Sequence, residues 1–252
     1  MSKVSIKNSV VLVTGANRGI GKSLVKEALK RGASKVYAGA RQTDKLKEIV
    51  ALSPDRVVAL ELDVTNPKHI QNAARVAGDV QVLINNAGVA GQAGVMYQYK
   101  EESARQEMEV NYFGPLHLTR AFVPSLSQKK NTAVAIVSSV AGLSSFPMFA
   151  TYSASKAAVH SLTQSLRAEL GALGISVFGI YPGPIDTDMA KDVDMEKETP
   201  GNTAVRILDG IEKGEEDIAP DKFSREFLAN LKKDAKAVER SNAQYAHQPQ
   251  NI

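Results

Sequence analysis

The sequence has no cysteine in its 252 residues. That one absence removes disulfides, thiolate nucleophiles, zinc–sulfur sites and iron–sulfur clusters together. Long apolar runs are also missing, and nothing approaches the roughly 18 residues that span a bilayer. Met1–Asn8 is polar and the next apolar run is only Val10–Val13, so no secretory leader is expected and the expected address is the cytoplasm. The histidines His69, His117, His160 and His247 are scattered without ligand spacing, so no metal site is expected. No nucleophilic triad is visible. Positive charge is present but diffuse: 31 Lys and Arg against 27 Asp and Glu give a net +4. No basic stripe with interleaved aromatics stands out, which argues against a nucleic-acid partner.

What is present is a globular composition, 43% hydrophobic and 23% charged. Six short apolar runs recur: Val10–Val13, Lys35–Ala38, Val57–Leu60, Val80–Ile84, Ala133–Val137 and Ser176–Ile180. They are apolar on consecutive residues, as strands buried on both faces of a parallel sheet read. Amphipathic stretches such as Ile20–Arg31 and Ile70–Ala77 lie between them. Alternating strands and helices predict an α/β fold with a doubly wound parallel sheet. No repeat or low-complexity linker interrupts the chain, so residues 1–252 are read as one domain. Phe223, Phe227, Leu231, Ala235 and Val238 recur at helical spacing, predicting an amphipathic C-terminal helix over about 221–245. Its apolar stripe either packs on the core or meets another subunit. His247–Ile252 is expected to fray.

The first strand runs into Thr14-Gly15-Ala16-Asn17-Arg18-Gly19-Ile20-Gly21. A strand, a glycine turn and a helix start in that order suit a pyrophosphate: glycines allow close approach and the helix start offers free N–H donors. The spacing is Gly-x3-Gly-x-Gly rather than the commoner Gly-x-Gly-x2-Gly. An ordinary glycine-rich turn is the alternative.

Thr14–Gly21 is followed by Asn85-Asn86-Ala87-Gly88, Asn111, Ser139, the Tyr152-x3-Lys156 pair and Pro182-Gly183. In this order the set resembles the short-chain dehydrogenase/reductase family, from residue 9 to about 190. The resemblance implies a Rossmann-like fold and a nicotinamide cofactor. It implies contacts from Gly15, Asn17, Arg18, Gly19, Ile20 and Gly21, and from Asn85, Ala87 and Gly88. Pro182, Gly183, Ile185 and Thr187 would face the carboxamide side. Asp63 and Val64 resemble the adenine-edge contact, although Asp63 equally suits the cap of a helix starting near Pro67.

An acid after the second strand would read a ribose 2′-hydroxyl and repel a 2′-phosphate. Here that place holds Gly39-Ala40-Arg41, and Arg18 adds a second guanidinium. Two Arg forks suit a phosphate dianion, and the family pattern implies NADP. The alternative is a pair of solvated surface arginines.

Tyr152 and Lys156 are four apart and share a helix face. A neighbouring ammonium, like an oxidised nicotinamide, is expected to lower the phenol from its usual value near 10. Tyr152 then serves as proton donor to a carbonyl oxygen. By resemblance, Ser139 positions that oxygen, Lys156 holds the nicotinamide ribose, and Asn111, in the long helix after strand four, holds a water. Ser138 should face the other side of the strand.

A lid over about 184–203 is expected, with an acidic rim that argues modestly against anionic substrates. Phe146, Phe149 and Met189 either line an apolar pocket or belong to the core. Gly214–Pro220 gives at most a short last strand, which puts a tetramer contact in doubt; the expectation is a homodimer or homotetramer. The function expected is NADPH-dependent reduction of an apolar ketone or aldehyde, reversible as a secondary alcohol dehydrogenase. The alternatives are reduction of 3-oxoacyl thioesters and a non-catalytic NADP sensor.

Overall fold

The computed structural model describes residues 4–91 and 93–246. The expected fraying of His247–Ile252 lies outside the described residues. Seven strands form the sheet: β1 (Val10–Thr14), β2 (Lys35–Ala40), β3 (Val57–Glu61), β4 (Val82–Asn85), β5 (Ala133–Val137), β6 (Ser176–Ile180) and β7 (Asp217–Ile218). Their order is β3-β2-β1-β4-β5-β6-β7, and every neighbouring pair is parallel. The chain runs outward from β1 to β3 and returns to place β4 beside β1. Their carboxyl ends therefore diverge at a switch point, where such sheets open a crevice.

The helices are α1 (Gly19–Lys30), a short α2 (Lys47–Val50), α3 (Pro67–Val76), α4 (Glu101–Met108), α5 (Gly114–Leu126), α6 (Ala150–Gly171), α7 (Pro200–Lys213), α8 (Lys222–Lys233) and α9 (Ala235–Asn242). They cover both sheet faces. Val11, Val13, Ile84 and Ile180 pack with α1 and α7, while Leu12, Leu83, Ile136 and Val177 pack with α3, α5 and α6. Successive strand residues alternate faces, and both faces are covered, so the strands read as unbroken apolar runs.

Some boundaries differ from expectation. The Val80 N–H turns back to Ala77 O, so β4 begins at Val82. Helix α3 begins at Pro67 and is capped by Asn66, whose side chain accepts from Lys68 N; Asp63 is not the cap. Asn111 lies in a single π-helical turn, Glu109–Phe113, between α4 and α5. The segment expected as a lid, about 184–203, runs into α7 at Pro200, and within it Ile185 bridges Glu198.

The C-terminal helix is two helices. Asp234 leaves helical geometry at φ −157 and ψ 94, and its carboxylate caps α9 through Ala237 N. An N-cap acid with extended backbone ends one helix and starts the next. Ala235 is consequently exposed, while Phe223, Phe227, Leu231 and Val238 pack on Val140, Leu143 and Phe146. The stripe thus covers the chain's own core. No helix among the described residues is long and apolar enough to cross a membrane, and they contain no group of His, Asp and Glu arranged to hold a metal.

Candidate active site

A cleft of about 1420 Å³ opens over the carboxyl ends of β1, β4, β5 and β6. Its first wall is the glycine turn. Gly15 and Gly19 have φ of +63 and +52, a left-handed backbone that favours glycine. A Cβ on Gly21 would lie 2.2 Å from Gly15 O. The Thr14 hydroxyl accepts from Asn86 N and Ala87 N, both at 2.9 Å, and Asn86 Nδ2 donates to Thr14 O at 2.8 Å. The loop is therefore pinned to the end of β4 before any ligand arrives.

Gly15, Asn17, Arg18, Gly19, Ile20 and Gly21 line the cleft, as do Arg41, Asp63, Val64, Ala87, Gly88, Ser139, Tyr152, Lys156, Pro182, Gly183, Ile185 and Thr187. Two expected residues do not. Asn85 is 3% exposed and donates to Thr119 Oγ1 at 3.3 Å, away from the cleft. It shares the parity of Leu83 and so faces α5, whereas Asn86 takes the place expected of it. Asn111 lies behind the wall. Its amide bonds Val89 N, Val89 O and Ser155 Oγ, each at 2.9 Å. Asp63 does line the cleft, but its carboxylate is held by Thr65 N and Thr65 Oγ1.

Tyr152 and Lys156 project from α6, with the Lys156 Nζ 5.6 Å from the Tyr152 ring centre. Lys156 is 4% exposed and donates to Val137 O at 2.9 Å. Burial lowers its pKa to about 8. Tyr152 moves the opposite way from expectation, up to about 12. Crowding of its hydroxyl away from bulk water dominates; a hydrogen bond with Ser139 pulls it down, and the Glu107 charge pushes it up. The Lys156 ammonium does not offset this in the free protein, where loss of hydration is the largest cause.

Ser139 caps a short turn through Ala141 N at 3.2 Å and donates to Pro182 O at 3.3 Å. Ser138 points the other way and holds Lys156 O at 3.0 Å, as strand alternation requires. The Pro182-Gly183 turn is fixed by Asp221, which accepts from Gly183 N at 2.8 Å and caps α8.

Charge and apolar surface divide the cleft. Arg18, Lys22, Lys26, Arg41 and Lys45 line one end. Phe146, Met148, Phe149, Met189, Met195, Phe223 and Tyr245 line the other. Phe146 stacks at 5.8 Å on Phe227 and lies 5.7 Å from Tyr245, tying the last helices to the wall. Phe223 and Tyr245 escaped the sequence reading, which saw only a helix stripe.

Residues 9–198 match the family model described as short chain dehydrogenase. The chain belongs to this family. It is 34% identical to the Short chain dehydrogenase pigC of Monascus ruber, over 74% of this chain and 66% of that protein. It is 35% identical to Dehydrogenase/reductase SDR family member 7B of Mus musculus, over 75% of this chain and 61% of that protein. The matches thus span less than two thirds of these relatives' length. Among solved structures, a short chain dehydrogenase from Burkholderia cenocepacia in complex with NADP superposes with a TM-score of 0.89 at 38% identity, covering 94% of this chain and 98% of the other. A short-chain dehydrogenase from Streptomyces avermitilis gives 0.82 at 30% identity, covering 94% and 97%.

Proposed function

We propose that this oxidoreductase transfers hydride between NADPH and an apolar ketone or aldehyde, reversibly, in the cytoplasm. The observation that carries this reading is the convergence of Tyr152, Ser139 and Lys156 on a cleft that is cationic at one end and apolar at the other.

The glycine wall fits a dinucleotide, because the left-handed Gly15 and Gly19 and the close packing of Gly21 on Gly15 O and Asn86 fold the loop tightly around the start of α1. Gly15, Asn17, Gly19 and Ile20 would hold the pyrophosphate at the start of α1. Arg41 is exposed and has no hydrogen bond or ion pair among the described residues, so it is free to meet a 2′-phosphate. Val64, Ala87 and Gly88 would flank the adenosine half, and Ile185 and Thr187 the carboxamide. The NADP complex of the Burkholderia cenocepacia relative supports the same cofactor.

A nicotinamide held there would supply the hydride. Tyr152 donates its phenolic proton to the carbonyl oxygen, and its raised pKa keeps that proton in place until needed. Ser139 holds the same oxygen. Lys156 anchors the ribose hydroxyls and supports the phenolate left behind. The apolar end, lined by Phe146, Met148, Phe149, Met189, Met195, Phe223 and Tyr245 with Asp192 and Asp194 beside the two lid methionines, favours uncharged alkyl or aryl substrates over anionic ones.

The deciding experiment follows NADPH and NADH oxidation with a panel of ketones and aldehydes. Turnover favouring NADPH and apolar ketones is expected; no turnover with any carbonyl, or equal efficiency with NADH, overturns the reading. A dimer through the helices carrying Asn111 and Tyr152 is proposed with it, and light scattering showing only monomer would remove that part.

A further inference from the structure

The lid residue Asp188 has no part in the mechanism above, yet it holds an arginine of the phosphate loop. Arg18 Nη1 donates to Asp188 Oδ2 at 3.0 Å, and Arg18 has no other ion pair among the described residues. A second contact lies beside it. Thr187 Cγ2 is 3.1 Å from where a Cβ on Gly19 would sit. Two consecutive loop residues thus meet two consecutive residues at the base of the lid. Gly19, at φ +52, leaves room for Thr187 to come in close. At the same end of the cleft, Arg41 and Lys45 have no ion pair among the described residues.

A guanidinium already paired to a carboxylate is a poorer receptor for a phosphate dianion. The carboxylate occupies one of its donors, Nη1, and adds a repelling charge. We propose that Asp188 is a cofactor-selectivity residue that competes with the 2′-phosphate for Arg18. It therefore holds the preference for 2′-phosphorylated ligands below what Arg18 and Arg41 together would give. This rests on the NADP reading of the cleft. The Asp188 side chain is 74% exposed, so its replacement leaves the core untouched.

The test is calorimetric binding of adenosine 2′,5′-bisphosphate and of 5′-AMP to the full chain. Wild type, Asp188→Asn, Arg18→Ala and the double variant are compared. Asp188→Asn is expected to tighten the bisphosphate by about threefold to fivefold, the scale of an exposed ion pair, and to leave 5′-AMP unchanged. The gain should vanish in the Arg18→Ala background. Tightening of both ligands alike, of neither, or weaker bisphosphate binding in Asp188→Asn overturns the proposal. Wild type binding the bisphosphate no better than 5′-AMP overturns the 2′-phosphate assignment instead, and the effect of Asp188→Asn still decides the competition.

Discussion

Asn111 grips Val89 by both backbone groups: its Oδ1 accepts from Val89 N and its Nδ2 donates to Val89 O, each at 2.9 Å. The same Nδ2 reaches Ser155 Oγ, whose hydroxyl donates to Tyr152 O at 2.7 Å. One amide therefore ties a cleft-wall segment to the helix bearing Tyr152. Asn111→Ala strips these partners inside the protein and should cost about 2–4 kcal/mol, read by urea denaturation. Turnover should fall more than cofactor affinity, because the helix loses its reference to the wall.

Glu107, one turn earlier, is 1% exposed and accepts from Gly91 N at 2.6 Å, while its Oε2 is buried without a hydrogen-bond partner among the described residues. Its charge raises the Tyr152 pKa. Glu107→Gln keeps an acceptor for Gly91 and removes the charge. The variant should be at least as stable as wild type, and its pH profile for alcohol oxidation should shift toward lower pH. An unmoved profile would sink this coupling.

Tyr152→Phe removes the proposed proton donor and leaves the glycine wall intact. Turnover should disappear while NADPH affinity, measured by fluorescence, stays near wild type. Activity within a few-fold of wild type would contradict the assigned role.

Burial of Lys156 and Tyr152 also shapes stability against pH. Lys156 titrates near 8 when folded and 10.5 in its ordinary state, so between these values the unfolded chain binds the proton and the folded chain does not. Stability from this group therefore rises with pH across that window, and the full cost of burying the charge is carried below it. Tyr152 acts in reverse: the unfolded phenol ionises near 10 and the folded one near 12, so stability falls as pH climbs through that range. Denaturation of Lys156→Met across pH should lose the rising limb and show higher stability at neutral pH. The same variant should lose turnover.

Gly21→Ala would put a methyl 2.2 Å from a backbone oxygen that has nowhere to move. Loss of dinucleotide binding and a clear drop in melting temperature are expected. Gly174→Ala makes a useful contrast, since its Cβ meets nothing within 4 Å and only its φ of +73 opposes the change. That variant should lose some stability and keep binding.

The buried strands were readable because parallel strands covered on both faces carry unbroken apolar runs; Ala133–Val137 and Ser176–Ile180 match to the residue. The glycine turn was readable because its chemistry is local. Asn85 and Asn86 were separable in principle by strand parity, which sends Asn85 with Leu83 toward α5. The break at Asp234 also carried a local signal, an acid poised to cap the start of α9. Phe223 and Tyr245 carried none: their place depends on docking against Phe146, far away in sequence. The phenol's upward shift was hidden for the same reason, since it depends on the surroundings of the hydroxyl rather than on the spacing to Lys156.

The division of the cleft follows chain order. Apart from Lys156, the cations that line it stop at Lys45, and its aromatic and methionine side chains start at Phe146. The family match ends at residue 198, ahead of both Phe223 and Tyr245. The cationic end and the apolar end of the cleft are thus written in separate stretches of the gene, joined where Tyr152 and Lys156 stand. Mutation from Phe146 onward can reshape the apolar end while the cationic side chains stay as they are, and only the Arg18–Asp188 pair and the Gly19–Thr187 contact carry a change across.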